Sequence, residues 1–271
     1  MQRTILLTGA TDGIGLAATK KLHAMGHHLL LHGRNSAKLT ALEKSLSSQT
    51  ELGRVQSYLA DLSLLDDVQR LIDKVIEQHD HIDVLINNAG IFKAAETITP
   101  QGLDVRFVVN TIAPYLLSKK LLPLMGVSGR IINLSSAAQS PVNLQALTGQ
   151  QRITNDFEAY AQSKLAITAW SHSLAEHLKN KGPKVISLNP GSMLGSKMVR
   201  QAFGVAGKDI NIGAEILIQA ALSDAFESAN GQYFDNDSGG FATPHADAVN
   251  PQNCEKIIQS IESILGEYLQ S

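Results

Sequence analysis

The segment Thr4-Ile5-Leu6-Leu7-Thr8-Gly9-Ala10-Thr11-Asp12-Gly13-Ile14-Gly15 decides how the rest of the chain is read. A short apolar run, suited to a buried strand, gives way to three glycines and then to the helical pattern Ile14–Met25. Glycines at such a junction let the backbone turn tightly and let a pyrophosphate approach the amides at the helix N-terminus. The spacing is G-x-x-x-G-x-G, which differs from the G-x-G-x-x-G dinucleotide fingerprint.

Outward from this junction the same alternation repeats. Thr4–Leu7, His28–Leu31, Val55–Leu59, Val84–Ile86, Arg130–Leu134, Lys184–Leu188 and Gln232–Phe234 read as strands. Between them Ile14–Met25, Ala37–Leu46, Leu65–Gln78, Gly102–Leu122, Tyr160–Lys179 and Gly213–Ala225 read as helices. The alternation predicts an α/β fold: a Rossmann-like, doubly wound parallel sheet of about seven strands with helices on both faces, in a single domain over residues 1–271. A ligand then belongs beyond the carboxyl ends of the strands, at the switch in strand order. Two segments break the rhythm on that side, 137–158 and 192–211, and are expected to be substrate lids.

Composition narrows the function. A formal net charge of -2 without basic runs argues against nucleic acid or an anionic membrane as partner. One cysteine, Cys254, excludes an internal disulfide and fits a reducing compartment. No apolar run approaches the ~20 residues of a membrane span. Met1-Gln2-Arg3 leads straight into the first strand, so a cytoplasmic protein without a signal sequence is expected.

Chemistry-bearing residues fall at the strand ends. After the second strand, Arg34 is placed to meet a ribose 2'-phosphate by charge-assisted contacts worth roughly 1.5 to 3 kcal/mol, and no acid stands there to bind ribose hydroxyls. NADP(H) is therefore favoured over NAD(H), although Asp12 in the glycine loop adds no attraction for that phosphate. Ala60-Asp61-Leu62 and Asn87-Asn88-Ala89-Gly90 follow the third and fourth strands. A carboxylate such as Asp61 can accept from an adenine amino group, and small residues let a nucleotide lie against the backbone. Tyr160 and Lys164 lie four apart on one helix face, where an ammonium favours the phenolate and makes the phenol a proton donor usable near neutrality. Tyr115 and Lys119 repeat that spacing, down to the serine before the lysine.

In chain order these motifs resemble the short-chain dehydrogenase/reductase family: Thr8 to Gly15, Asp61, Asn87 to Gly90, Asn110, Ser135-Ser136, Tyr160 to Lys164, and Pro190-Gly191. The longer gap between Ser136 and Tyr160, and Gly33-Arg34-Asn35, are similar to the retinol dehydrogenase-like branch, here without a membrane anchor. The family order selects Tyr160 over Tyr115. The resemblance implies Asn110, Ser136, Tyr160 and Lys164 as catalytic residues: Tyr160 as general acid, Ser136 bonding the substrate oxygen, Lys164 depressing the phenol's pKa, and Asn110 holding a water toward solvent. It also implies dinucleotide contacts from Gly9, Thr11, Gly13, Ile14, Gly15, Arg34, Asn35, Asp61, Leu62, Asn88, Ala89, Gly90, Tyr160, Lys164, Pro190, Gly191 and Met193. A family threonine near the nicotinamide is absent; Gly195 occupies its register and Ser196 follows.

The function expected is NADPH-dependent reduction of an aldehyde or ketone, or oxidation of the alcohol, on a small or medium apolar substrate. A catalytically silent nucleotide sensor or scaffold of the same fold, or an NAD-linked epimerase or dehydratase, are the alternatives. The helices 102–122 and 160–179 build homodimers or homotetramers in many family members. No metal site is expected: the Asp235-Asn236-Asp237-Ser238-Gly239 run lacks the acid a calcium loop needs at its twelfth position, which is Ala246. The nine histidines show no zinc spacing. Phe241 to Pro251 reads as a cover for the cleft or as a tail.

Overall fold

The computed structural model describes residues 1–48, 53–179 and 181–270. Eight strands form one sheet in the order β3-β2-β1-β4-β5-β6-β7-β8, with β1 Thr4–Leu7, β2 His28–Gly33, β3 Val55–Leu59, β4 Val84–Asn87, β5 Arg130–Leu134, β6 Lys184–Asn189, β7 Tyr233–Asp235 and β8 Gly240–Ala242. The first seven pair in parallel; β8 returns antiparallel to β7. The antiparallel β8 extends the expected parallel set of about seven strands. It is three residues long and glycine-led, too short for a periodic signal.

Alternate side chains of the strands feed two apolar layers. Leu6, Leu30, Leu85, Ile131 and Val185 face one side, under α3 (Leu65–Gln78), α5 (Ala113–Leu121) and α7 (Asp156–Leu178). Ile5, Leu7, Leu31, Ile86 and Ile186 face the other, under α1 (Gly13–Ala24), α2 (Ser36–Ser47) and α9 (Asn211–Leu222). The chain runs from β1 outward to β3, then crosses back to place β4 beside β1, so the strand order switches between β1 and β4.

Several elements depart from the periodic reading. The helix expected over Gly102–Leu122 starts as α4 (Val105–Phe107), widens into a π turn at Val108–Ile112, and resumes as α5. Pro114 has no N–H to donate to the carbonyl of Asn110 four residues back, and a helix meeting that vacancy widens. Segment 137–158 holds a short helix, α6 (Leu144–Leu147), and the start of α7. Within 192–211 lies α8 (Lys197–Phe203), capped by the Ser196 hydroxyl on the Val199 N–H.

The largest addition is α10, Pro251–Gln270, which follows the stretch read as a cover or tail. Phe241 instead packs edge-on against Phe234 and Phe226 at the sheet end. Ile257, Ile261 and Leu265 of α10 are buried in the same layer as Leu116, Leu117 and Trp170, so α10 lies across the α5 and α7 face named as an oligomer contact in relatives. Here the Tyr115–Lys119 pair finds its use. The Tyr115 hydroxyl donates to Glu262 at 2.5 Å, Lys119 lies 3.8 Å from the same carboxylate, and the Tyr115 ring meets Trp170 edge-on.

Arg106 ties 137–158 to the body. Its side chain is 1% exposed, and it donates to Asp104 at 2.6 and 2.8 Å, to Asp156 at 2.6 Å and to the Ile153 carbonyl at 3.2 Å. Removing a buried cation leaves Asp104 uncompensated. Arg106→Leu should therefore cost about 3–5 kcal/mol in urea denaturation; a loss under about 1 kcal/mol would show that the network carries little.

Candidate active site

At the β1–β4 switch the two loops press together. Gly9 has φ +70°, and a Cβ on Gly15 would lie 2.2 Å from the Gly9 carbonyl oxygen and 2.5 Å from Asn88 Nδ2. Asn88 Nδ2 donates to the Thr8 carbonyl at 2.8 Å and the Gly9 carbonyl at 3.2 Å. The Thr8 hydroxyl accepts from the N–H groups of Asn88 and Ala89, each at 3.0 Å. Above this joint lies a cleft of ≈ 750 Å³ running from Arg34 to Phe203. Each residue expected to touch the dinucleotide borders that cleft, and so does Ser136; Asn110 does not.

At one end of the cleft, Arg34 and Asn35 are exposed where β2 ends. Asn35 also caps α2, accepting from Lys38 N–H at 2.9 Å. Lys38 pairs with Asp12 at 2.9 Å, and this lysine holds the Asp12 carboxyl below its usual range. Asp12 is thus already neutralised by a cation bordering the same corner, a partner invisible in the sequence because Lys38 is 26 residues away. Asp61 caps its own turn, accepting from the Ser63 hydroxyl and N–H.

His32, the penultimate residue of β2, lies under the glycine loop. It is 3% exposed, Nδ1 accepts from the Gly9 N–H at 3.2 Å, and Nε2–H donates to the Ala60 carbonyl at 3.0 Å. Those partners fix a neutral ring, and burial pushes its pKa down to about 4, against the pull of Asp61.

At the other end stand the catalytic candidates. Tyr160 is half-buried on α7, its ring 5.1 Å from Phe92, and its phenol shares a hydrogen bond with the Ser136 side chain. Ser135 is excluded by its own bonds: its hydroxyl pairs with Thr168 at 2.6 Å and donates to the Lys164 carbonyl. Ser136 is oriented by Tyr233, whose hydroxyl donates to the Ser136 carbonyl at 3.0 Å, and by Gln139 donating to the same oxygen at 2.9 Å. Lys164 lies 5.6 Å from the Tyr160 ring centroid and donates to the Leu134 carbonyl at 2.7 Å.

Burial and packing decide the state of three of these side chains. Burial raises the Tyr160 pKa, with Ser136 opposing, and burial lowers Lys164 to about 7. Burial disfavours the charged form of each group, the phenolate of Tyr160 and the ammonium of Lys164. Asn110, fully buried, spends its side chain on Ile91, accepting from its N–H at 2.8 Å and donating to its carbonyl at 2.9 Å, and on Ser163 at 2.9 Å.

The two segments expected to be lids divide unequally. Only Ala138 and Phe157 of 137–158 border the cleft among the described residues, whereas much of 192–211 does. The latter closes on itself: Gly195 N–H donates to the Lys208 carbonyl and Lys208 N–H to the Met193 carbonyl, both at 2.7 Å. Met193 sits at φ +59°, and Ser196, the hydroxyl nearest the missing threonine, caps α8. Asp237 holds the start of this loop, accepting from Ser192 N–H at 2.9 Å and Asn189 Nδ2 at 2.9 Å. The acidic run at 235–239 is therefore loop scaffolding. Phe92 gathers Tyr160, Phe157 and Phe203 around it at 5.1, 6.4 and 5.7 Å, an aromatic wall that periodicity did not reveal. Among the described residues no cluster of three or more His, Cys, Asp or Glu suits a metal ion, and no helix is long and apolar enough to cross a membrane.

A model of the family described as short chain dehydrogenase matches residues 3–204. The chain belongs to the short-chain dehydrogenase family. Human retinol dehydrogenase 13 is 30% identical over 251 residues, covering 86% of this chain and 76% of that protein. An uncharacterised protein from Mycobacterium paratuberculosis shares the fold with a TM-score of 0.79, at 24% identity, over 100% of this chain and 94% of its own. The angucycline C-6 ketoreductase LanV, solved with bound NADP, gives 0.68 at 26% identity over 86% of this chain and 93% of its own. As a short-chain dehydrogenase this chain is an NAD(P)-dependent oxidoreductase. Its cleft fits such a cofactor: the glycine loop, where a Cβ on Gly15 would meet the Gly9 carbonyl at 2.2 Å, borders it at one end and Lys164 at the other.

The depressed His32 pKa gives a pH dependence of known sign. Between about 4 and the ordinary 6.5 the unfolded chain carries a proton that the folded ring refuses, so stability falls as pH drops through this window and is level above it. His27 and His79, also depressed by burial, act in the same direction. In urea titrations from pH 7 to 4, His32→Asn should flatten the slope by up to one proton, about 1.4 kcal/mol per pH unit; an unchanged slope would show that His32 titrates normally.

Proposed function

We propose that this short-chain dehydrogenase uses NADPH in preference to NADH to reduce an aldehyde or ketone, or to oxidise the corresponding alcohol. The observation that carries the proposal is the convergence of the Tyr160 phenol, the Ser136 hydroxyl and the Lys164 ammonium at one end of a cleft whose other end is the glycine cradle and Arg34. Bound dinucleotide supplies the hydride.

Tyr160 donates its proton to the substrate oxygen as charge develops there, and Ser136 hydrogen-bonds the same oxygen. Tyr233 and Gln139 hold Ser136 from behind, so the donor pair is fixed before substrate arrives. Lys164 near pH 7 is poised: an anionic ligand in the cleft raises its pKa, and the restored ammonium then favours the phenolate left on Tyr160. The Lys164 ammonium stands beside the phenol as the route by which solvent returns the proton. The remaining dinucleotide contacts come from the glycine loop, Asp61 and Leu62, Asn88 to Gly90, and Pro190 to Met193. The wall of Phe92, Phe157 and Phe203 beside Tyr160 supports an apolar substrate, and Arg34 with Lys38 supports the 2'-phosphate.

NADPH oxidation over a panel of aldehydes and ketones tests the reading. Tyr160→Phe should lower turnover at least about 10³-fold while NADPH still binds, whereas Tyr115→Phe should stay within a few-fold. NADPH binding without turnover of any carbonyl or alcohol would favour the silent sensor instead. Arg34→Ala should weaken NADPH about 10- to 100-fold and NADH little; equal losses for both would remove the phosphate-clamp assignment.

A further inference from the structure

The cofactor cradle contains a buried ionisable residue that the mechanism above does not use. We propose that His32 is a positioning residue for dinucleotide binding, a strut that holds the glycine loop and the adenine-side loop in fixed relation through its two ring nitrogens. The proposal rests on the dinucleotide-binding reading of the cleft.

The geometry is specific to these loops. His32 is the penultimate residue of β2, and its ring spans from the β1–α1 turn to the end of β3. Nδ1 accepts from the Gly9 N–H at 3.2 Å, Nε2–H donates to the Ala60 carbonyl at 3.0 Å, and the His32 carbonyl accepts from Ala10 N–H at 2.9 Å. Gly9 is the residue that turns the loop, at φ +70°, and Ala60 immediately precedes Asp61. One side chain therefore sets the spacing of the two loops between which a nucleotide must lie.

Apolar packing alone does not explain a histidine here. A leucine would fill the space but leave the Gly9 N–H without its acceptor beneath the loop. Elsewhere on the sheet's underside the chain supplies a matched control. His23 on α1 is 1% exposed and also bonds a carbonyl through Nε2, that of Gly53 at 3.1 Å, yet it does not border the cleft.

NADPH fluorescence titration of the full chain, with thermal melts alongside, separates positioning from stability. His32→Ala should raise the Kd for NADPH at least about tenfold, whereas kcat at saturating NADPH stays within about threefold. His23→Ala should lower the melting temperature and leave that Kd unchanged. His32→Asn keeps an acceptor where Nδ1 stood and should recover most of the affinity; His32→Gln reaches toward Ala60 but not Gly9 and should not. The proposal is overturned if His32→Ala binds NADPH like the parent protein, if its loss lies in kcat instead of Kd, or if Gln rescues and Asn does not. A parent chain that takes up no NADPH would overturn the dinucleotide reading and this inference together.

Discussion

The structure depends on how closely two loops approach at the β1–β4 switch. A methyl group on residue 15 would sit inside the van der Waals shell of both the Gly9 carbonyl and Asn88 Nδ2, so only glycine permits the turn. That contact brings the first turn of α1 against the loop after β4 and opens the cleft above them. Thr8, Asn88 and His32 then spend their polar atoms on the backbone of neighbouring loops, so the cradle is held from beneath before any ligand enters. A preformed cradle lowers the ordering cost of binding.

The far end of the cleft follows a different logic, set by burial. Tyr160 and Lys164 leave α7 on one face, but the helix packs so deeply that desolvation pushes both pKa values toward the neutral forms. A site whose resting charge is held down by burial gains most when charge appears, provided hydrogen-bond donors are already aimed there. Ser136, backed by Tyr233 across the sheet, is such a donor. Asn110 shows the same economy: its side chain secures the loop at Ile91 and bonds Ser163 of α7.

The C-terminal helix adds a second constraint. By covering α5 and α7, α10 turns a helix face into interior and converts the Tyr115–Lys119 pair into an anchor for Glu262. Two tyrosine–lysine pairs of identical spacing thereby acquire opposite fates. Tyr115 is sealed against Trp170 and a carboxylate, whereas Tyr160 opens on the cleft.

Local sequence was sufficient for the strand and helix alternation, the glycine turn and the parallel architecture, because side-chain period and turn chemistry act over a few residues. It also placed Ser136, Tyr160, Lys164 and Arg34 at one end of the sheet, since strand order alone carries them there. It missed β8 and α8, which are too short to show a period, and α10, whose apolar face at Ile257, Ile261 and Leu265 was legible but went unread. Tertiary structure alone decided that Tyr115 is sealed by Glu262 and Trp170, that Asp12 is paired with Lys38, that Asp237 steadies the loop at Ser192, and that burial raises the pKa of the phenol. These depend on distances between residues far apart in the chain and on the dielectric around them, and neither is encoded by spacing.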